Sequence, residues 1–125
     1  MASKGKILII DDEPDLVEAM KFRLEATGYK VLTSFDGKTG IDVAVAEKPD
    51  VILLDIMMPG MDGFEALRRI KINKAIQKIP AIVFSCGREE EGWAKRAVEL
   101  GASGYVVKPF DTEALLFMIG KFCGK

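Results

Sequence analysis

Histidine is absent from this chain of 125 residues, and that absence restricts the chemistry more than anything else in the composition. The commonest general base and metal ligand is unavailable, so any phosphohistidine must belong to another molecule. Cysteine is scarce. Cys86 and Cys123 stand in apolar surroundings without metal-ligand spacing, which excludes a disulfide framework or zinc site and reads as small core hydrophobes in a reducing compartment. No apolar run approaches the roughly 20 residues of a membrane span, and Met1-Ala-Ser-Lys-Gly-Lys6 has no apolar signal region. A cytoplasmic location is expected. An excess of charge of one sign is missing as well: 18 Lys and Arg against 19 Asp and Glu leave a net charge of −1. No basic field attracts nucleic acid or an anionic membrane, so direct binding to either is not expected. The length suits one domain over residues 1–125 with a core that needs no staples, and there is no internal repeat or low-complexity segment.

What is present is organised around Val51-Ile-Leu-Leu-Asp55. Four apolar residues bounded by Pro49-Asp50 and Pro59-Gly60 are too short for a helix and read as a strand buried on both faces, the kind found in parallel sheets. The chain around it alternates. Lys6 to Ile10 is a strand ending on Asp11-Asp12-Glu13. Pro14 suits a first helical position, and Asp15 to Thr27 carries Leu16, Val17, Met20 and Leu24 at helical spacing before Gly28 caps it. Tyr29 to Ser34 is a weaker strand at the sheet edge. Asp36-Gly37 opens a helix to about Glu47 with Ile41, Ala44 and Val45 inward. Asp62 caps a helix from Gly63 or Phe64 to about Ile72. Pro80 to Ser85 is the fourth strand. Glu89-Glu90-Glu91 open the fourth helix, acids on its positive end, and Gly101 stops it. Gly104 to Val107 is the fifth strand, and Asp111 or Thr112 caps the last helix. Strands alternating with helices imply right-handed crossovers and a doubly wound parallel α/β sheet.

The strand ends carry the chemistry. Asp11-Asp12, Asp55, Ser85 and Lys108 each follow or close a strand, and open α/β sheets place their ligand crevice at that edge. Three carboxylates there repel one another. A hard divalent cation relieves the conflict, and an oxygen-only site suits Mg2+. Asp55 then becomes a nucleophile toward an activated phosphoryl donor, with the Lys108 ammonium and Ser85 hydroxyl suited to the phosphoryl oxygens. Taken singly these residues have plainer readings: a helix cap for Asp11 or Asp12, a strand-end hydroxyl for Ser85, a solvated charge for Lys108. Two adjacent acids plus a third from a buried strand exceed what capping needs.

Together, Ile10-Asp11-Asp12-Glu13, Leu54-Asp55-Ile-Met-Met-Pro59 with Asp62-Gly63, Phe84-Ser85-Cys86 and Gly104-Tyr105-Val-Val-Lys108-Pro109-Phe110 resemble the receiver domain of bacterial two-component response regulators over essentially the whole chain. The resemblance implies a flavodoxin-like fold of five strands in the order 2-1-3-4-5 with five helices. It implies that Asp55 accepts a phosphoryl group from a histidine kinase or histidine phosphotransfer protein. Asp12, Asp55 and the backbone carbonyl of Met57 are then expected to bind Mg2+ directly, and Asp11 through water. Ser85 and Lys108 contact the phosphoryl group, the bond to Pro109 is cis, and Ser85 and Tyr105 are the switch pair. Cys86 departs from the commonest pattern, where alanine is usual. Gly87 offers no side chain to shield an acyl phosphate.

A stand-alone switch is expected, assisting its own phosphorylation and dephosphorylation and passing the signal through protein contacts. Two other classes fit less well. An aspartyl-phosphate phosphatase or phosphotransferase needs a second carboxylate as general acid and a substrate cap, and no insertion is long enough for one. A flavin-binding electron carrier shares the fold but needs a hydroxyl- and glycine-rich phosphate loop where Asp11-Asp12-Glu13-Pro14 stands. Two surfaces are candidate partner contacts. Ala19, Phe22 and Ala26 form a second apolar stripe on the first helix, which either packs on the fifth helix or docks the histidine-bearing donor. Phe117 on the outer side of the last helix, with Trp93 and Tyr105, forms a candidate aromatic patch for a downstream target or a phosphorylation-dependent homodimer.

Overall fold

Alternate residues of the central strand point to opposite faces, and both faces are covered by helices, so nothing in that strand is polar before its last residue. The computed structural model describes residues 4–56, 62–85, 92–107 and 111–123, the side chain of Ser85 excepted. Its strands are β1 (Lys6–Ile10), β2 (Lys30–Ser34), β3 (Val51–Asp55), β4 (Ala81–Ser85) and β5 (Gly104–Val107); its helices are α1 (Pro14–Thr27), α2 (Gly37–Glu47), α3 (Gly63–Ile72), α4 (Trp93–Glu99) and α5 (Thr112–Phe122). They form one parallel sheet in the order β2-β1-β3-β4-β5. This is the expected doubly wound, flavodoxin-like arrangement.

Two apolar layers result. Ile7, Ile9, Leu53 and Phe84 pack with Val17, Met20 and Leu24 of α1 and Leu115 and Ile119 of α5. Leu8, Ile10, Leu54 and Val83 pack with Ala44 of α2, Ala66, Leu67 and Ile70 of α3 and Ala97 of α4. The helix boundaries follow local chemistry. Pro14 stands in the first turn of α1, and Gly28 ends it at φ +114°, a conformation that costs glycine little. The carboxylates of Asp36, Asp62 and Asp111 accept the backbone N–H groups of Thr39, Glu65 and Glu113, capping α2, α3 and α5.

Three expectations change, and one falls outside the described residues. Val45 is 37% exposed, because α2 approaches the sheet along Gly37, Gly40 and Ala44, and a turn of 100° past Ala44 carries Val45 off that row. The Ala19, Phe22 and Ala26 stripe does not pack on α5. Phe22 lies roughly 170° around α1 from the centre of its buried row and is 72% exposed, while Arg23, on the flank, reaches Glu113 of α5 at 3.3 Å. The helix described before Gly101 begins at Trp93, after Gly92 at φ +78°; Glu89 to Glu91, where the fourth helix was expected to open, lie outside the described residues. Trp93 itself is buried at 5% exposure, drawn in because the first turn of α4 rests on the sheet.

Candidate functional site

The register of the sheet builds the site. Ile10 of β1 pairs with Leu54 of β3, so Asp11 and Asp55, one residue further, end adjacent strands side by side at the point where the strand order reverses. Both are withdrawn from solvent, at 0% and 3% exposure. Asp12 follows on the outgoing loop and is half-buried. Each of the three offers a carboxylate oxygen, and these atoms all lie within 4.8 Å of one another. At an effective dielectric of about 20, two carboxylate charges at that distance repel by roughly 3 kcal/mol. An oxygen-only trio drawn from two strand ends is the donor set a hard, partly hydrated divalent cation takes.

Backbone bonds hold the trio in place. The Asp11 N–H donates to Ser34 O at 3.1 Å, continuing the ladder one residue past β1, and Ile56 N–H donates to Phe84 O at 3.0 Å, continuing β3 past Asp55. Asp11 Oδ1 accepts the Glu13 N–H at 3.0 Å, so this carboxylate also turns the chain into α1; the N-cap residue Glu13 uses no side-chain bond for that purpose. Gly63 N–H donates to Ile56 O at 2.8 Å, folding the start of α3 against the strand that carries Asp55. A Cβ on Gly63 would stand 2.5 Å from Asp55 O and 2.7 Å from Ile56 O, so only glycine permits that approach. Among the described residues no buried side-chain nitrogen or oxygen is left without a hydrogen-bond partner.

The other predicted residues divide. Ser85 ends β4 in register with Val107 of β5, at the same edge of the sheet; its side chain, Met57, Lys108 and the bond to Pro109 lie outside the described residues, as does Cys86. Tyr105 is 39% exposed and meets the buried Trp93 edge-on, with ring centroids 5.9 Å apart. Phe117 is 73% exposed, and Phe22 stands apart from it on another helix. Of the three residues of the predicted patch, Trp93 is buried while Phe117 and Tyr105 are exposed. One contact and one exposed ring have no counterpart among the predicted features. Arg96 of α4 lies over the ring of Phe64, 4.0 Å from its centroid, a cation–π contact that ties α4 to the first turn of α3. Phe35, half-exposed, follows Ser34, the last residue of β2, whose carbonyl accepts the Asp11 N–H; an aromatic between a strand and the Asp36-Gly37 turn was the only signal.

A family model described as response regulator receiver domain matches residues 7–120. The chain belongs to that family. Solved receivers are similar along nearly their full length. The receiver domain of the Francisella response regulator 1452 shares 27% identity with a TM-score of 0.87, covering 95% of this chain and 96% of that one. The chemotaxis response regulator CheY4 of Vibrio cholerae shares 28% with a TM-score of 0.86, covering 98% and 99%. The BeF3-activated receiver domain of Klebsiella pneumoniae RstA shares 26% with a TM-score of 0.88, covering 96% and 99%. As a receiver, the chain is a two-component signalling module and a phosphoacceptor switch by family. No helix among the described residues is long and apolar enough to cross a membrane.

Proposed function

We propose that Asp55 of this receiver takes a phosphoryl group from the phosphohistidine of a kinase or phosphotransfer protein, in a Mg2+-dependent reaction held by Asp11, Asp12, Asp55 and the Met57 carbonyl. The observation that carries the reading is the trio of carboxylates within 4.8 Å, with Asp55 at the end of a fully buried strand. An Asp55 oxygen attacks phosphorus in line, the bond from phosphorus to the donor imidazole nitrogen breaks with its electron pair leaving on the imidazole, and an acyl phosphate forms. Bound Mg2+ supplies charge neutralisation for the phosphoryl oxygens. Lys108 and Ser85 take the remaining phosphoryl contacts by resemblance to the family. Asp11, anchored by the Glu13 N–H, and Asp55, anchored in the ladder, need no rearrangement to serve.

Phe22, exposed on α1, is the proposed contact for the donor, and Phe117 with Tyr105 for a downstream protein or a second phosphorylated copy. The module works in the cytoplasm and lowers the barrier to its own phosphorylation and dephosphorylation. The test is labelling with acetyl phosphate. Asp55→Asn keeps the shape and loses the nucleophile, so its base-labile label should fall below about 1% of wild type, and removing Mg2+ from wild type with EDTA should do the same. Full labelling of Asp55→Asn would overturn the assignment.

A further inference from the structure

Asp55 is 3% exposed, which constrains any protein that delivers a phosphoryl group to it. In-line transfer brings the donor atom to within about 3.5 Å of the nucleophile, so a macromolecular donor must lower a side chain into the crevice and rest its surface on the rim. The rim can be read from the register. Ser34, Ile10 and Leu54 occupy one row of the sheet, and Phe35, Asp11 and Asp55 are the residues that follow them. Adjacent strands are about 5 Å apart, so Ser34, the residue before Phe35, lies about 10 Å from Leu54, the residue before Asp55. The bond from Asp11 N–H to Ser34 O keeps the ladder closed up to Asp11.

Phe35 is 50% exposed, and it occupies a place where a polar turn residue would serve the fold equally well. The Asp36-Gly37 turn needs nothing from it: Ser34 Oγ donates to Asp36 O at 3.0 Å, and Asp36 caps α2 through Thr39 N–H. Acids stand near it. Asp36 follows it directly, and Asp12 and Glu13 follow Asp11 on the neighbouring strand, all in exposed or half-buried positions, with Lys38 in the first turn of α2 the nearest cation in sequence. We propose that Phe35 is a donor-recognition residue: it seats in an apolar notch on a phosphohistidine protein whose surrounding surface is basic. The charge pattern selects that partner, since an acidic rim steers a cationic surface toward the crevice, and an aromatic ring that seats in an apolar pocket is the kind of side chain that concentrates binding energy.

This inference rests on the phosphoacceptor reading, and the experiment separates the two. Wild type, Phe35→Ala and Phe35→Leu receive phosphate either from acetyl phosphate or from the fastest member of a panel of autophosphorylated histidine kinase domains. Phe35→Ala should slow transfer from the kinase domain by about tenfold, while Phe35→Leu recovers most of the rate and acetyl phosphate labels all three within about twofold. Transfer from the kinase domain to wild type should also slow as NaCl is raised from low to physiological concentration. Equal kinase rates for wild type and Phe35→Ala overturn the inference and leave the phosphoacceptor reading standing. Equal losses with both donors make Phe35 a structural residue and overturn it too, and transfer indifferent to salt removes the basic partner. If neither donor labels wild type, the phosphoacceptor reading falls, and this inference falls with it.

Discussion

Asp12 is the member of the acidic trio that the fold needs least. Asp11 and Asp55 end strands and are buried, whereas Asp12 sits half-buried on the loop between them and α1, contributing charge without a strand position to hold. Asp12→Ala should therefore raise stability in the absence of metal by about 1 kcal/mol, from relief of carboxylate repulsion, and should weaken Mg2+ binding at least tenfold. Urea unfolding with and without Mg2+ checks the first, and a titration followed by the emission of Trp93, the only tryptophan, checks the second. Metal affinity equal to wild type would remove Asp12 from the site. At this scale the acids were legible because charge at the end of an apolar run has few structural explanations. Phe35 and Phe64 were not, because an aromatic beside a turn or in a first helical turn has many.

Among the described elements, α3 is tied directly to the site. Its first residue, Gly63, lies against the Asp55–Ile56 backbone, and a Cβ there can be accommodated only by moving that backbone. Gly63→Ala should cost at least about 2 kcal/mol and lower Mg2+ affinity; a variant as stable as wild type in urea would show that the helix can back away freely. The same helix carries a pH signature. Hydrogen bonds from Arg68 and then Arg69 hold the Glu65 carboxyl down at about 2, from an ordinary 4.5. A carboxyl lowered in the folded state contributes stability above its unfolded value and loses it as pH falls through the folded one. Glu65→Gln should therefore flatten the loss of stability between pH 4.5 and about 2, measured by denaturation across that window; an unchanged slope would mean that solvent screens the pair completely. Element boundaries were legible wherever a cap sets them, at Pro14, Gly28, Asp62 and Asp111. The turn at Asn73–Ile79 was not: Ile76 there is buried at 1% exposure, and its spacing from Ile72 and Ile79 is that of a continuing helix, so nothing local announces a turn.

For the whole molecule, the question is where phosphorylation is read. Phe117 presents a ring at 73% exposure on α5, and burying such a ring in a contact removes apolar surface from water at about 25 cal/mol per Å2. Phe117→Ser should leave phosphorylation unchanged and weaken phosphorylation-dependent association about tenfold, read by sedimentation of the BeF3-treated protein and by target pull-down; identical association would exclude the patch. By itself the sequence determined the strands, the helices and the three acids, because each rests on local rules: apolar runs of strand length, capping residues and charge placed at strand ends; the order of the strands came from the resemblance to receivers. Which faces the helices turn outward was decided by the tertiary structure. The Phe22 stripe reads the same on the sequence whether α5 covers it or solvent does, and only the roll of α1 against the sheet, fixed by the packing of Val17, Met20 and Leu24, leaves it exposed. Trp93 went the other way, buried by the position of α4. The row that joins Ser34 to Ile10 and Leu54, and so brings Phe35 toward Asp11 and Asp55, exists only once β2, β1 and β3 pair in register, since no local property of residues 20 or more apart in the chain records that they will become neighbours.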